Sequence, residues 1–147
     1  MSLLLVLLLT ACTPGAQSAG TGSAAAATTT IDVSLTGSTA TATAFGSASG
    51  FSPVVTTVAL GTTVRFVNVD SFPHTASSFG GAAFPATSPL GSSALTTSGN
   101  RLSAGWSSGT LGAGTASPPL LADIAGTYLY GCFFHYGAPM RGAIVVR

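Results

Sequence analysis

Apolar residues in this chain recur at every second position in short runs, and each run is cut off by glycine, proline or serine. A period of two belongs to half-buried β-strands, whose successive side chains face opposite sides of a sheet. Ile31, Val33 and Leu35 alternate with polar neighbours and open the first run. Thr39 to Phe45 alternates threonine with alanine, a weak strand ended by Gly46. Val58 and Leu60 lead into Gly61, a turn signal, and Val64, Phe66, Val67 and Val69 resume a β-rich stretch. Leu120-Leu121, Tyr128 to Cys132 and Ala143 to Val146 read as three more strands, with Gly126 and Gly142 ahead of the last two. No window carries a sustained helical period with a cap. The pattern predicts an all-β fold, an antiparallel sandwich or barrel.

Residues 77–117 are rich in alanine, serine, glycine and proline, with Phe79, Phe84, Leu95, Leu102, Trp106 and Leu111 as apolar anchors. A structureless loop of that length is rare in a compact domain. One or two short strands are therefore predicted there, near Leu95 and from Leu102 to Trp106, with Trp106 as a core anchor. The whole chain, 147 residues, suits one domain with a real core. Charged residues make up only 5% of it, with no lysine and no glutamate, and four arginines against three aspartates. That leaves no basic stripe to displace counterions from nucleic acid. Arg65 and Arg101 have no visible partner and read as solvated.

Leu3 to Leu9 is unbroken and apolar but far shorter than a membrane span, and it ends in Leu9-Thr10-Ala11-Cys12. An apolar core followed by small residues predicts a signal peptide over residues 1–11. Its ending resembles the lipobox of bacterial lipoproteins, which implies lipidation of Cys12; the other reading is an ordinary signal peptide with Cys12 incidental. Met1-Ser2 carries no positive charge, so either a start further upstream or an atypical signal is expected. Residues 12–30 have too few apolar side chains to offset backbone entropy and read as a disordered tether. The folded domain is expected over residues 31–147. A disulfide between Cys12 and Cys132 would tie a tail to a core and is not expected. Cys132 is then a free thiol in an oxidising compartment, a state that a metal or deep burial must protect.

The segment Tyr128 to Gly142, YLYGCFFHYGAPMRG, places Cys132, His135 and Met140 in the spacing C-x2-H-x4-M. A short loop between two strands aims such side chains at one point, and Gly137 and Pro139 allow and then fix its return. The remaining histidine, His74, follows the strand Val64 to Val69 and is preceded by Pro73. Thiolate, two imidazoles and a weak thioether are the donors of a blue-copper centre, and zinc seldom takes the thioether. Phe133 and Phe134 read as shielding for the metal, and Tyr128 and Tyr130 as sheet or core residues rather than redox relays.

The segments FSPVVTTVALGTTVRFVNVDSFPHT and GTYLYGCFFHYGAPMRGAIVV resemble the cupredoxins, and the C-x2-H-x4-M loop is similar to their plastocyanin branch. The resemblance implies a Greek-key β-sandwich of about eight strands with one copper ion at one end. It implies His74, Cys132 and His135 as three close ligands and Met140 as the long axial one. Asn68 and Asp70 match the family's strand-exit residues before the first ligand. Thr75 stands where many members carry an asparagine that ties the two ligand loops together, a bond its hydroxyl can also make.

The expected function is that of a type 1 copper protein, cycling between Cu(I) and Cu(II) and passing single electrons. Related proteins use one ligand histidine as the electron port, here His135. Its neighbours Phe72, Pro73, Tyr136, Ala138 and Pro139 predict docking of a redox partner through a small apolar patch, with Arg141 the only charge nearby. A monomer is expected, exported and anchored on the periplasmic or outer face of a bacterial membrane. The rival readings are a copper carrier or storage lipoprotein, a metal-free interaction module and an enzyme. The first would favour methionine- or histidine-rich tracts, and only Met1 and Met140 are present. The second would lack a ligand, and the third would need a further metal or catalytic arrangement that the sequence does not carry.

Overall fold

In the computed structural model, which describes residues 26–147, the first alternating run forms β1 (Thr28–Val33), with Ile31 and Val33 fully buried. Thr28, Thr29 and Thr30, expected in the tether, belong to this strand. They pair in parallel with Thr63, Val64 and Arg65 of β6 (Thr63–Asn68), so backbone pairing holds them where their side chains offer little burial. The expected signal peptide, Cys12 and the tether up to residue 25 lie outside the described residues.

Two sheets face each other. One carries β10 (Leu120–Leu121), β6, β1 and β4 (Phe51–Ser52), in that order. The other carries β5 (Val55–Val58), β12 (Arg141–Val146), β11 (Gly126–Gly131), β7 (Ser77–Phe79), β9 (Ser107–Ser108) and β8 (Thr97–Ser98). A small hairpin of β2 (Thr41–Thr43) and β3 (Gly46–Ala48) stands apart, so the predicted threonine–alanine strand is half of a two-stranded ribbon. The chain crosses between sheets at Pro53 and Val54, so β4 pairs with β1 while β5 pairs in parallel with β12. The result is an all-β sandwich, as predicted, but mixed rather than antiparallel, since β1 with β6 and β5 with β12 pair in parallel.

Alternation along the strands builds the core. Val64 and Phe66 of β6 and Ile144 and Val146 of β12 point inward with Ile31 and Val33. Phe66 lies at the centre of an aromatic group, its ring 5.3 Å from Trp106, 5.1 Å from Tyr130 and 6.1 Å from Phe51. Each such side chain contributes roughly 1.5–3 kcal/mol through burial, and edge-to-face pairing adds about 0.5–1.5 kcal/mol per pair. Trp106 is the core anchor that the sequence indicated. Tyr130 is a core residue as well: its hydroxyl has no hydrogen-bond partner among the described residues, and burial pushes its pKa far up.

Residues 77–117 depart from expectation in detail. Leu95 and Leu102 sit in single 3-10 turns, Ser92–Leu95 and Leu102–Ala104; β8 follows Leu95 by two residues, as expected, while Leu102 to Trp106 forms no strand and β7 and β9 lie elsewhere. Buried serines explain the difference. Ser77 and Ser107 share a 2.8 Å hydrogen bond, Ser107 donates to the Ala94 carbonyl, and Ser108 accepts from the Ala76 amide. These hydroxyls hold short strands together where apolar side chains are too few to mark them. Arg101 and Arg65 are exposed, as expected, and each has a partner: Arg101 pairs with Asp123 at 3.8 Å, and Arg65 donates to the Ser117 carbonyl.

Candidate metal centre

The ends of β1, β6 and β11 and the start of β12 meet at one end of the sandwich, as the register Val33–Asn68 and Gly131–Arg141 requires. Cys132 leaves the last residue of β11, and Met140 immediately precedes β12. Their backbones are joined, the Cys132 amide donating to the Met140 carbonyl at 3.0 Å. Within the loop the amides of Ala138 and Met140 both donate to the His135 carbonyl. Pro139 is fastened from outside, since the Ser49 amide donates to its carbonyl and the Ser49 hydroxyl to that of Ala138. The loop is therefore closed by its own backbone and by Ser49.

His74 arrives from the other sheet. Asn68, fully buried at the end of β6, donates from its side-chain amide to the carbonyls of Phe72 and Leu111 and accepts from the Asp70 amide. This pins the turn that carries His74, whose amide and carbonyl then pair with those of Leu111. Thr75 joins the two ligand segments as its position implied, its hydroxyl accepting from the Phe133 amide at 2.8 Å. The Thr75 amide in turn points at the Cys132 sulfur, 3.4 Å away.

His74, Cys132 and His135 converge, each offering one donor atom, all three within 4.8 Å of one another. The Cys132 Sγ lies 3.8 Å from Nδ1 of His74 and 3.5 Å from Nδ1 of His135. A metal about 2.3 Å from a thiolate and about 2.0 Å from an imidazole, at an angle of about 120°, holds those donors about 3.7 Å apart. The residues fit a metal. His74 and Cys132 are fully buried, while His135 is half-buried, with Phe72 stacked edge-on against it at 5.6 Å. Burial lowers the pKa of His135, the neighbouring His74 adds to this, and Asp70 opposes it. Neutral imidazole, the form that binds metal, is thereby favoured.

Met140 is fully buried, and its carbonyl accepts from the Cys132 amide. Its place depends on Gly50, which has φ +74° and meets the methionine so closely that an added Cβ would lie 2.5 Å from Cγ and 3.2 Å from Sδ. Only glycine takes that backbone shape and leaves that space.

Three features escaped the sequence. Asp70, noted only as a strand-exit residue, accepts from Nε2 of His74 at 2.8 Å and from the Ser34 hydroxyl, also at 2.8 Å. Burial would raise its carboxyl, yet hydrogen bonds from Thr36, His74, Leu35 and Ser34 outweigh that and hold it well below the usual carboxylate range. Its position four residues before His74 was the available signal. Gly50 and Ser49, far from the ligands in sequence, gave none. The third is a correction to the expected patch: Tyr136 is buried, its hydroxyl donating to the Pro85 carbonyl and its ring covered by the Arg141 guanidinium at 4.8 Å. Phe134 takes its place at the surface, 43% exposed, while Phe133 is half-buried.

No protein-family model and no curated protein matches the chain. Solved cupredoxin structures do match in shape. A purple cupredoxin from Nitrosopumilus maritimus aligns at TM-score 0.50 and 21% identity, over 80% of this chain and 98% of that one. A mutant plastocyanin of fern aligns at TM-score 0.50 and 21% identity, over 81% of this chain and all of the other (100%). The fold is that of the cupredoxins.

Proposed function

We propose that the chain is a type 1 copper protein that passes single electrons between redox partners, with His74, Cys132 and His135 as close ligands and Met140 as the axial one. The observation that carries this reading is the convergence of one thiolate and two imidazole Nδ1 atoms at metal-binding separations. Copper, when bound, supplies the Cu(I)/Cu(II) couple, and this donor set is tolerable to both states. The protein's part is to prevent rearrangement. Cys132 and Met140 are tied backbone to backbone, and Thr75 locks the His74 segment to the Cys132 loop. Burial of His74, Cys132 and Met140 keeps water from three of the four donors.

His135 is the half-buried member, so it is our choice for the electron port. Around it stand Phe72, Pro73, Phe134, Ala138 and Pro139, an apolar rim on which a partner would dock. Export and attachment to a bacterial membrane through Cys12 complete the proposal. Enzyme activity is not part of it.

The test is to add Cu(II) to the purified domain and record its visible spectrum. An intense thiolate-to-copper charge-transfer band is expected at one copper per chain, absent from Cys132→Ser. A colourless protein, or one that takes zinc and copper alike with no such band, would overturn the reading.

A further inference from the structure

The carboxylate of Asp70, which meets His74 through Oδ2, is held at both oxygens by other groups. The Ser34 hydroxyl donates to Oδ1 at 2.8 Å, and the amides of Leu35 and Thr36 donate to Oδ2, that of Leu35 at 2.6 Å. Those groups all belong to the chain leaving β1, while Asp70 and His74 belong to the chain leaving β6. The side chains of Asp70 and His74 are 3% and 0% exposed. A carboxylate that already takes donors at both oxygens is an acceptor toward His74, so the proton between them sits on Nε2 of the imidazole. The other ring nitrogen, Nδ1, then keeps its lone pair, and it is this atom that faces the Cys132 sulfur.

From this cradle we infer that Asp70 is a positioning residue that fixes the His74 tautomer for metal binding and makes its imidazole a stronger donor, favouring Cu(II) over Cu(I). The inference rests on the copper reading for its second half only. A buried anion hydrogen-bonded to the far side of a ligand histidine raises the basicity of that histidine. The state with the higher metal charge gains more from it, so the reduction potential falls. Asn68 plays a separate part, holding the turn without touching either ring nitrogen.

The tautomer is read without metal, from the side-chain 15N shifts of His74 in the unmodified metal-free protein. A protonated Nε2 and an unprotonated Nδ1 are expected; a protonated Nδ1, or an average of the two, would overturn the inference. The electronic half is read on copper-loaded Asp70→Asn. Asparagine keeps an acceptor for Nε2 but removes the charge, so copper should stay bound while the Cu(I) to Cu(II) affinity ratio rises by about tenfold, which is about 59 mV for one electron. An unchanged or lower potential would refute it. Absence of copper uptake by the unmodified protein would instead sink the copper reading and leave the tautomer result standing.

Discussion

Thr75 is where a single hydroxyl bears most on the centre. It is fully buried, and its Oγ1 accepts from the Phe133 amide, one residue after the proposed ligand Cys132. Removing it leaves a donor unpaired beside the metal, a desolvation cost of about 1–3 kcal/mol. Thr75→Val is therefore expected to weaken copper binding about 10–100-fold, the usual effect of losing a residue that orients a ligand. Thr75→Ser keeps the hydroxyl and should bind nearly as the unmodified protein does. Competition against a chelator measures both, and equal affinities for the valine and threonine forms would show that the bond does not orient the loop. The four proposed ligands and this supporting residue were legible because each sits in, or beside, a segment whose spacing is itself informative. Gly50 and Ser49 were not. They meet the Met140 loop from a strand end nearly ninety positions away in sequence, as the Ser49 hydroxyl bond to the Ala138 carbonyl illustrates, and no local pattern encodes such an approach.

Among the elements, strands with clear apolar alternation were the readable ones. β1, β6, β11 and β12 carry the core and lead to the proposed ligands, and each sits where Ile31–Leu35, Val64–Val69, Tyr128–Cys132 and Ala143–Val146 indicated, give or take end residues. The start of β1 was missed because Thr28–Thr30 are held by parallel pairing with β6 rather than by side-chain burial. β7 and β9 have no signal in the sequence for a related reason. Their contacts run through Ser77, Ser107 and Ser108, and a serine reads the same in a loop as in a strand until its partner is known. The hairpin of β2 and β3 was half-seen, since alternation of threonine with alanine marks a strand but not its turn. Apolarity alone does not separate a strand over Leu102 to Trp106 from the short 3-10 turn that buries Leu102.

Across the whole molecule, charge is scarce and what there is near the centre is occupied. Formal net charge is +1. The Arg141 guanidinium donates to the carbonyls of Ser47 and Pro85 and lies over the rings of Tyr136 and Phe84, which leaves the rim of His135 apolar. A partner docking there gains little from long-range attraction. Its electron-transfer rate is expected to change by much less than the tenfold or more that steering supplies, between about 0.01 M and about 0.15 M salt, where screening lengths fall from roughly 30 Å to roughly 8 Å. A steep decline in stopped-flow rates over that range would place the docking face elsewhere. The claim on which the rest depends is that one copper per chain takes and gives up one electron without leaving its ligands. Spectroelectrochemistry of the copper-loaded protein tests it directly. The account expects a reversible one-electron couple in which the charge-transfer band bleaches and returns over repeated cycles with copper retained. Irreversible bleaching, or copper held as Cu(I) alone and released on oxidation, would contradict it and favour a carrier.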